Sequence, residues 1–166
     1  MSTSIKTLED YYATLVEKHK TGQAREHAYR PVLERLIQKM DESLKILNDP
    51  SRSEHGNPDF VFLKGDITVG YAETKDIGID LDKTERSDQM QRYLGYSNLI
   101  LTDYLEFRFF RNGLRYEEPI RIADIQNGQL VAHPDQYERL QNAISDFLHG
   151  EAEPIKNGKH LAEIMG

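Results

Sequence analysis

The sequence of 166 residues contains no cysteine. It therefore has neither a disulfide framework nor a thiolate metal site, which is compatible with a reducing compartment. No apolar run approaches the length of a membrane-spanning helix, and residues 1–6 lack the apolar centre of a signal peptide. We therefore expect a cytoplasmic protein with no membrane partner.

Positive charge is also scarce, because the formal net charge is -7. A protein that grips nucleic acid by bulk electrostatics needs clustered lysine and arginine to neutralise phosphates. If the substrate is DNA, another part of the protein is expected to hold most of it. The six histidines have no spacing that indicates a zinc site.

The apolar pattern predicts one α/β domain over residues 1–150. Helical spacing predicts helices at 7–20, with Thr7 as the N-cap, from about 22 to 40, at 88–96 and at 134–150. Strand patterns fall at 44–47, 60–63, 67–75, 98–101 and 105–110, and a loop is expected at 76–87. Asn112-Gly113 is the strongest turn signal. Residues 151–166 have the composition of a linker followed by the start of a truncated region, so more protein is expected downstream.

Two short motifs fall at the ends of adjacent predicted strands. Asp59 precedes one strand, and Glu73-Thr74-Lys75 ends the next, fourteen positions later. In an extended chain, alternate residues share a face, so Ile67, Val69, Tyr71, Glu73 and Lys75 are expected to point the same way. A buried acid beside a buried base must pair or bind something, and a second carboxylate makes a divalent cation suitable. The arrangement is typical of metal-assisted phosphodiester hydrolysis.

The runs at 56–62 and 71–78 resemble the PD-(D/E)xK nuclease superfamily. The resemblance is closest to the N-terminal nuclease domains of bifunctional restriction endonuclease-methyltransferases, the type IIG and type I-like enzymes. Those domains also carry a Glu-x-x-Tyr-Arg-type helix, here Glu26 to Arg30, and a Gln-x-x-x-Tyr helix, here Gln89 to Tyr93. The resemblance implies a restriction-endonuclease-like core, in which a central mixed β-sheet is flanked by helices.

What the resemblance implies is a Mg2+-dependent DNA endonuclease, with Mn2+ as a substitute ion, that leaves a 5′-phosphate and a 3′-hydroxyl. Its partners would be DNA and downstream methyltransferase and target-recognition domains of the same polypeptide. The catalytic residues would be Asp59, Glu73 and Lys75, with the lysine orienting water, stabilising the phosphorane or accepting a proton. The metal ligands would be Asp59, Glu73, the Thr74 carbonyl and Glu26.

Two further residues, Gln89 and Tyr93, would fix the lysine or contact a phosphate. Without the motif they are simply one turn of a helix. Similarly, Glu26 could form a structural salt bridge with Arg25 or Arg30 instead of binding metal. Five other arginines are expected at the solvated surface, although a cluster of them could contact DNA phosphates: Arg86, Arg92, Arg108, Arg111 and Arg115.

The motif itself also has simpler explanations. Asp59 after Pro58 could be ordinary turn chemistry, and Glu73 with Lys75 could be an exposed ion pair on an edge strand. The alternative function is then a catalytically inactive nuclease-like module that docks nucleic acid or protein. If Glu26, Asp59 and Glu73 share one pocket, their like charges should repel each other, so Asp59→Asn is expected to melt at or above the metal-free wild type.

Overall fold

The computed structural model describes residues 2–22, 26–48, 58–95 and 98–150. Within these ranges the helices are α1 (Ser2–Lys20), α2 (Glu26–Met40), α3 (Leu81–Glu85), α4 (Asp88–Tyr93) and α5 (Tyr137–Leu148), the last preceded by a 3-10 turn at Pro134–Gln136. The strands are β1 (Lys45–Asn48), β2 (Phe60–Lys64), β3 (Ile67–Thr74), β4 (Asn98–Thr102), β5 (Glu106–Arg111), β6 (Leu114–Arg115), β7 (Ile120–Arg121), β8 (Ala123–Gln126) and β9 (Gln129–Ala132). None of the described helices is both long and apolar enough to cross a membrane.

Seven of the nine described strands form a mixed sheet in the order β1-β2-β3-β4-β5-β6, with β7 also paired to β5, and β8 and β9 form a separate antiparallel pair. The hairpin of β2 and β3 is antiparallel, whereas β3 and β4 are parallel and are joined through α3 and α4. Because β3 and β4 are parallel, their C-terminal ends lie at the same end of the sheet. There the Lys75 amide donates to the Thr102 carbonyl at 2.9 Å. The first residue of β2 lies at the same end of the sheet, which brings Asp59 close to Glu73 and Lys75.

Helices cover both faces of this sheet. One face packs beneath α1, α2 and α5 and contains most of the core, including Phe60, Phe62, Ala72, Ile100 and Phe109. The other face packs beneath α3 and α4 in a smaller cluster of Tyr71, Leu81, Met90, Tyr93, Leu99, Leu101 and Phe110. At Gly70 a Cβ atom would lie 2.6 Å from the Phe147 ring, so glycine lets α5 pack directly on β3. The predicted mixed sheet flanked by helices is confirmed.

Several predicted boundaries were wrong. Helix α1 begins at Ser2, so Thr7 lies inside the helix and is not its N-cap. The expected loop at 76–87 contains α3, whose N-cap Asp80 accepts hydrogen bonds from the amides of Asp82 and Lys83. Only one residue of α3, Leu81, is buried, so this helix has too little apolar periodicity to be recognised. Strands β6, β7, β8 and β9 were also not predicted, since each is short and has few buried residues.

The predicted alternation along β3 holds only in part. A β-bulge shifts the register between Phe62 and Leu63, and Val69 packs in the larger core while Tyr71 packs in the smaller one. The bulge adds a residue on one strand and so breaks the period of two. Residues 151–166, predicted to be a linker and a truncated region, lie outside the described residues. The division at residue 150 stays a prediction.

Candidate active site

The two central carboxylates meet because of the hairpin register. Phe60 lies opposite Ala72, so the residues just beyond this pair, Asp59 and Glu73, are neighbours at the end of the ladder. The Asp59 amide donates to Glu73 Oε1 at 3.2 Å. Both residues are only 3% exposed, in a setting where an unpaired charge would be costly.

Asp59 is held on both of its oxygens. Its Oδ2 accepts from the Thr74 amide and from the Thr74 hydroxyl, each at 2.9 Å. Its Oδ1 accepts from Arg30 Nη2 at 2.7 Å, in an ion pair whose side chains are 5% and 3% exposed. Asp59 is therefore a buried, oriented carboxylate, and ordinary turn chemistry does not explain it.

Lys75 forms an ion pair with the other carboxylate, that of Glu73. Its Nζ is 3.3 Å from Glu73 Oε2, and its side chain remains 29% exposed while that of Glu73 is 4% exposed. Strand β3 has neighbours on both sides, so the pair is not on an edge strand. The lysine reaches from a buried carboxylate towards solvent, where a substrate could meet it.

The pKa of the Glu73 carboxyl is raised to about 8, mainly by burial and secondarily by the nearby charge of Asp59. Lys75 acts in the opposite direction but does not offset these two effects. Around neutral pH, Glu73 therefore keeps its proton in the metal-free protein. A buried carboxyl with this behaviour, next to a second carboxylate, is a candidate functional group.

The raised pKa predicts how the stability of the metal-free protein depends on pH. The folded form holds the Glu73 proton up to about pH 8, whereas the unfolded chain releases it near 4.5. The contribution of the Glu73 carboxyl to the free energy of unfolding is fully present below pH 4.5. It is lost as the pH rises through 8, by up to about a few kcal/mol. Melting curves in chelator should therefore show a falling melting temperature between pH 5 and 8.5. In Glu73→Gln this decline should be smaller; an unchanged profile would contradict the assignment.

The structure brings Asp59, Glu73, Thr74 and Lys75 together, as the sequence predicted. Glu26 is the first residue of α2, but its side chain lies outside the described part of the chain, so its metal-binding role stays a prediction. Gln89 Nε2 donates to the Tyr93 hydroxyl at 3.1 Å, and Tyr93 is fully buried. Whether these two residues fix the lysine or contact a phosphate also stays a prediction.

The chemistry of the donor set fits Mg2+. Asp59 and Glu73 supply hard oxygen donors, and this ion binds through one or two carboxylates while it keeps several waters. Among the side chains that the structure describes, no group of three or more acidic, histidine or cysteine residues is placed to hold a metal ion. Within the described residues the candidate ligands are therefore the two carboxylates, and the ligand role of the Thr74 carbonyl stays a prediction.

A large cleft begins one residue beyond Lys75. It has a volume of about 1030 Å³ and is lined by Asp76 to Ile79, by Tyr29 of α2, by His19 and Lys20 at the end of α1, and by the turn between β8 and β9. Asp76 follows the lysine directly, and Tyr29 directly precedes Arg30. The cleft is therefore adjacent in the chain to the candidate site, although Asp59, Glu73 and Lys75 do not line it.

Sequence reasoning missed the role of Arg30, which it treated only as a possible partner for Glu26. The available signal was its position in the Glu-x-x-Tyr-Arg-type helix, but which carboxylate it meets depends on how α2 packs against the sheet. The surface prediction was wrong for Arg108, which is 6% exposed. Its guanidinium bonds Asp82, Glu85 and Glu106 at 2.8, 2.9 and 2.7 Å and so ties α3 to the sheet.

No family model and no curated protein matches this chain. A solved structure that does match is a cryo-EM structure of a DrdV-DNA complex, with a TM-score of 0.65 and 18% sequence identity. The match covers 87% of this chain but only 14% of that one. At this identity the likeness shows the fold and leaves the activity open. Together with the mixed sheet and its flanking helices, it gives this chain a restriction-endonuclease-like α/β fold.

Proposed function

We propose that this chain is a Mg2+-dependent DNA endonuclease domain, the restriction part of a restriction-modification enzyme whose methyltransferase and target-recognition domains lie downstream in the same polypeptide. The observation that carries the proposal is the contact between buried Asp59, buried Glu73 and partly exposed Lys75 at the ends of β2 and β3. The fold is shared with a protein solved in complex with DNA, and the match spans a small part of that chain.

Each residue has a separate task in the proposed reaction, which adds water to a phosphodiester and breaks its P–O3′ bond. Asp59 and Glu73 would hold Mg2+, which lowers the pKa of bound water and neutralises charge on the phosphate. The Lys75 ammonium would attract the scissile phosphate and orient the attacking water. Thr74 fixes the Asp59 carboxylate through two hydrogen bonds.

One observation favours the alternative of a catalytically inactive docking module. The protein itself supplies a cation to each carboxylate, since Arg30 pairs with Asp59 and Lys75 with Glu73. A site neutralised in this way could persist for structural reasons alone. The two functions differ in one measurable property, because only the nuclease needs a divalent ion between the carboxylates.

Calorimetric titration with Mn2+ and Mg2+ tests the proposal directly. The wild type should bind ion with a submillimolar Kd, and Glu73→Gln should weaken binding at least tenfold because a carboxylate ligand is lost. Titrations should be run near pH 8.5, above the pKa of Glu73, so that a proton does not compete with the ion.

The matched control is Glu42→Gln, which removes one exposed carboxylate from the acidic surface. Its isotherm should equal that of the wild type. If Glu73→Gln also binds ion like the wild type, the ion lies elsewhere. If the wild type binds no ion and cleaves no plasmid DNA at low salt, the docking alternative replaces the nuclease.

A further inference from the structure

Arg30 introduces a positive charge into the interior at the candidate site. The residue is 4% exposed, and its Nη2 lies 2.7 Å from Asp59 Oδ1. Burying a guanidinium is costly even when it is paired, and an ion pair of this kind is often no more stable than apolar side chains of the same volume. Stability alone is therefore a weak reason for an arginine at this position.

The hydrogen bonds of Asp59 define what Arg30 can do. Thr74 already donates twice to Oδ2, so the orientation of the carboxylate does not depend on Oδ1 alone. Arg30 approaches Asp59 from α2, whereas Lys75 approaches Glu73 from the end of β3. Two cations from different elements thus flank two adjacent carboxylates.

The charge balance of this group changes when a divalent ion binds. Without the ion, the side chains of Asp59 and Glu73 lie beside two protein cations. With it, the carboxylates are balanced by the ion, and Arg30 and Lys75 leave a surplus of positive charge in a buried setting. Such a surplus favours a bound anion, and most of all one whose negative charge grows during the reaction, as on a phosphate under attack by water.

We propose that Arg30 assists phosphodiester cleavage from behind Asp59, without touching the substrate: it supplies a fixed positive field that stabilises the transition state. This inference rests on the proposed nuclease function. Because the guanidinium is buried, it acts through this field, whereas the side chain of Lys75 is 29% exposed and open to a substrate. Its effect should therefore fall on the chemical step and little on substrate binding.

The test compares wild type, Arg30→Lys, Arg30→Met and the control Arg108→Met. Arg108 is another buried, ion-paired arginine, but it pairs with α3 and β5 residues away from Asp59. All four proteins are assayed below their melting temperatures, for Mn2+ affinity by calorimetry and for kcat and KM on plasmid DNA.

Arg30→Met should bind Mn2+ at least as tightly as the wild type, because a like charge beside the ion is removed. Its kcat should fall about 100-fold with little change in KM. Arg30→Lys keeps the charge and should recover part of kcat. Arg108→Met should lose stability but keep both the Mn2+ affinity and kcat.

Parallel losses of Mn2+ affinity and kcat in Arg30→Met would show a purely structural role and overturn the inference, as would a wild-type kcat. If Arg30→Met does not fold, Arg30→Lys is the deciding variant. A lower kcat at unchanged Mn2+ affinity would support the proposed field of Arg30, and wild-type kinetics would contradict it. Failure of the nuclease proposal looks different, because the wild type itself would then neither bind Mn2+ nor cleave.

Discussion

Replacing Lys75 with methionine should lower DNA cleavage by about 100-fold to 10,000-fold while leaving divalent-ion affinity within a few-fold of the wild type. The substitution keeps most of the side-chain volume but removes the ammonium that lies 3.3 Å from Glu73 on a side chain that is 29% exposed. Because Asp59 and Glu73 both remain, the oxygen donors for the ion are unchanged. The loss should therefore appear in the chemical step.

The pH of the ion titration matters for this variant. Lys75 lowers the pKa of Glu73, so its removal lets a proton compete more strongly with the ion. Affinities should be compared near pH 8.5 or above, where this competition is weakest. Lys64→Met is a suitable control, since Lys64 ends β2 in the same hairpin and forms a partly exposed pair with Asp41. Cleavage by Lys75→Met at the wild-type rate would remove the lysine from the mechanism.

The local part of the site could be predicted from the sequence. Asp59 and Glu73 are joined by a single antiparallel hairpin, and the alternation of apolar residues around a short turn sets its register. Once the hairpin is recognised, the neighbouring carboxylates follow, and so does a lysine two positions after Glu73. Even the β-bulge does no harm, because it lies before Tyr71 and leaves the end of β3 in register.

The non-local part could not be predicted. Arg30 meets Asp59 only because α2 packs against the sheet, and no short-range pattern specifies that packing. Likewise Arg108 appears in the sequence as a charge on a strand, yet two of its three carboxylate partners come from α3, a helix with one buried residue. A buried arginine and a solvated one have the same sequence signature, since only the tertiary contacts decide which charges are desolvated.

Arg30 also reverses an expectation about stability. From the sequence, removing one of the clustered carboxylates should relieve repulsion, so that Asp59→Asn melts at or above the metal-free wild type. In the structure Asp59 has a buried cation as its partner at 2.7 Å. Moreover, the pKa of Glu73 is about 8, so at pH 7 that neighbour is mostly uncharged and little repulsion is present to relieve.

We therefore expect Asp59→Asn to destabilise the metal-free protein by about 3–5 kcal/mol, the cost of leaving a buried charge without its counter-ion. Denaturant unfolding in chelator at pH 7 measures this change. The control Asp41→Asn breaks the partly exposed pair with Lys64 and should cost about 1 kcal/mol or less.

A double variant separates the ion pair from the rest of the site. If the cost of Asp59→Asn comes from a stranded guanidinium, then adding Arg30→Met removes the unpaired charge and should recover part of the lost stability. Additive losses in the double variant would show that the two residues stabilise the fold independently. A wild-type or higher stability of Asp59→Asn alone would mean that repulsion among the carboxylates outweighs the Arg30 pair, as the sequence had suggested.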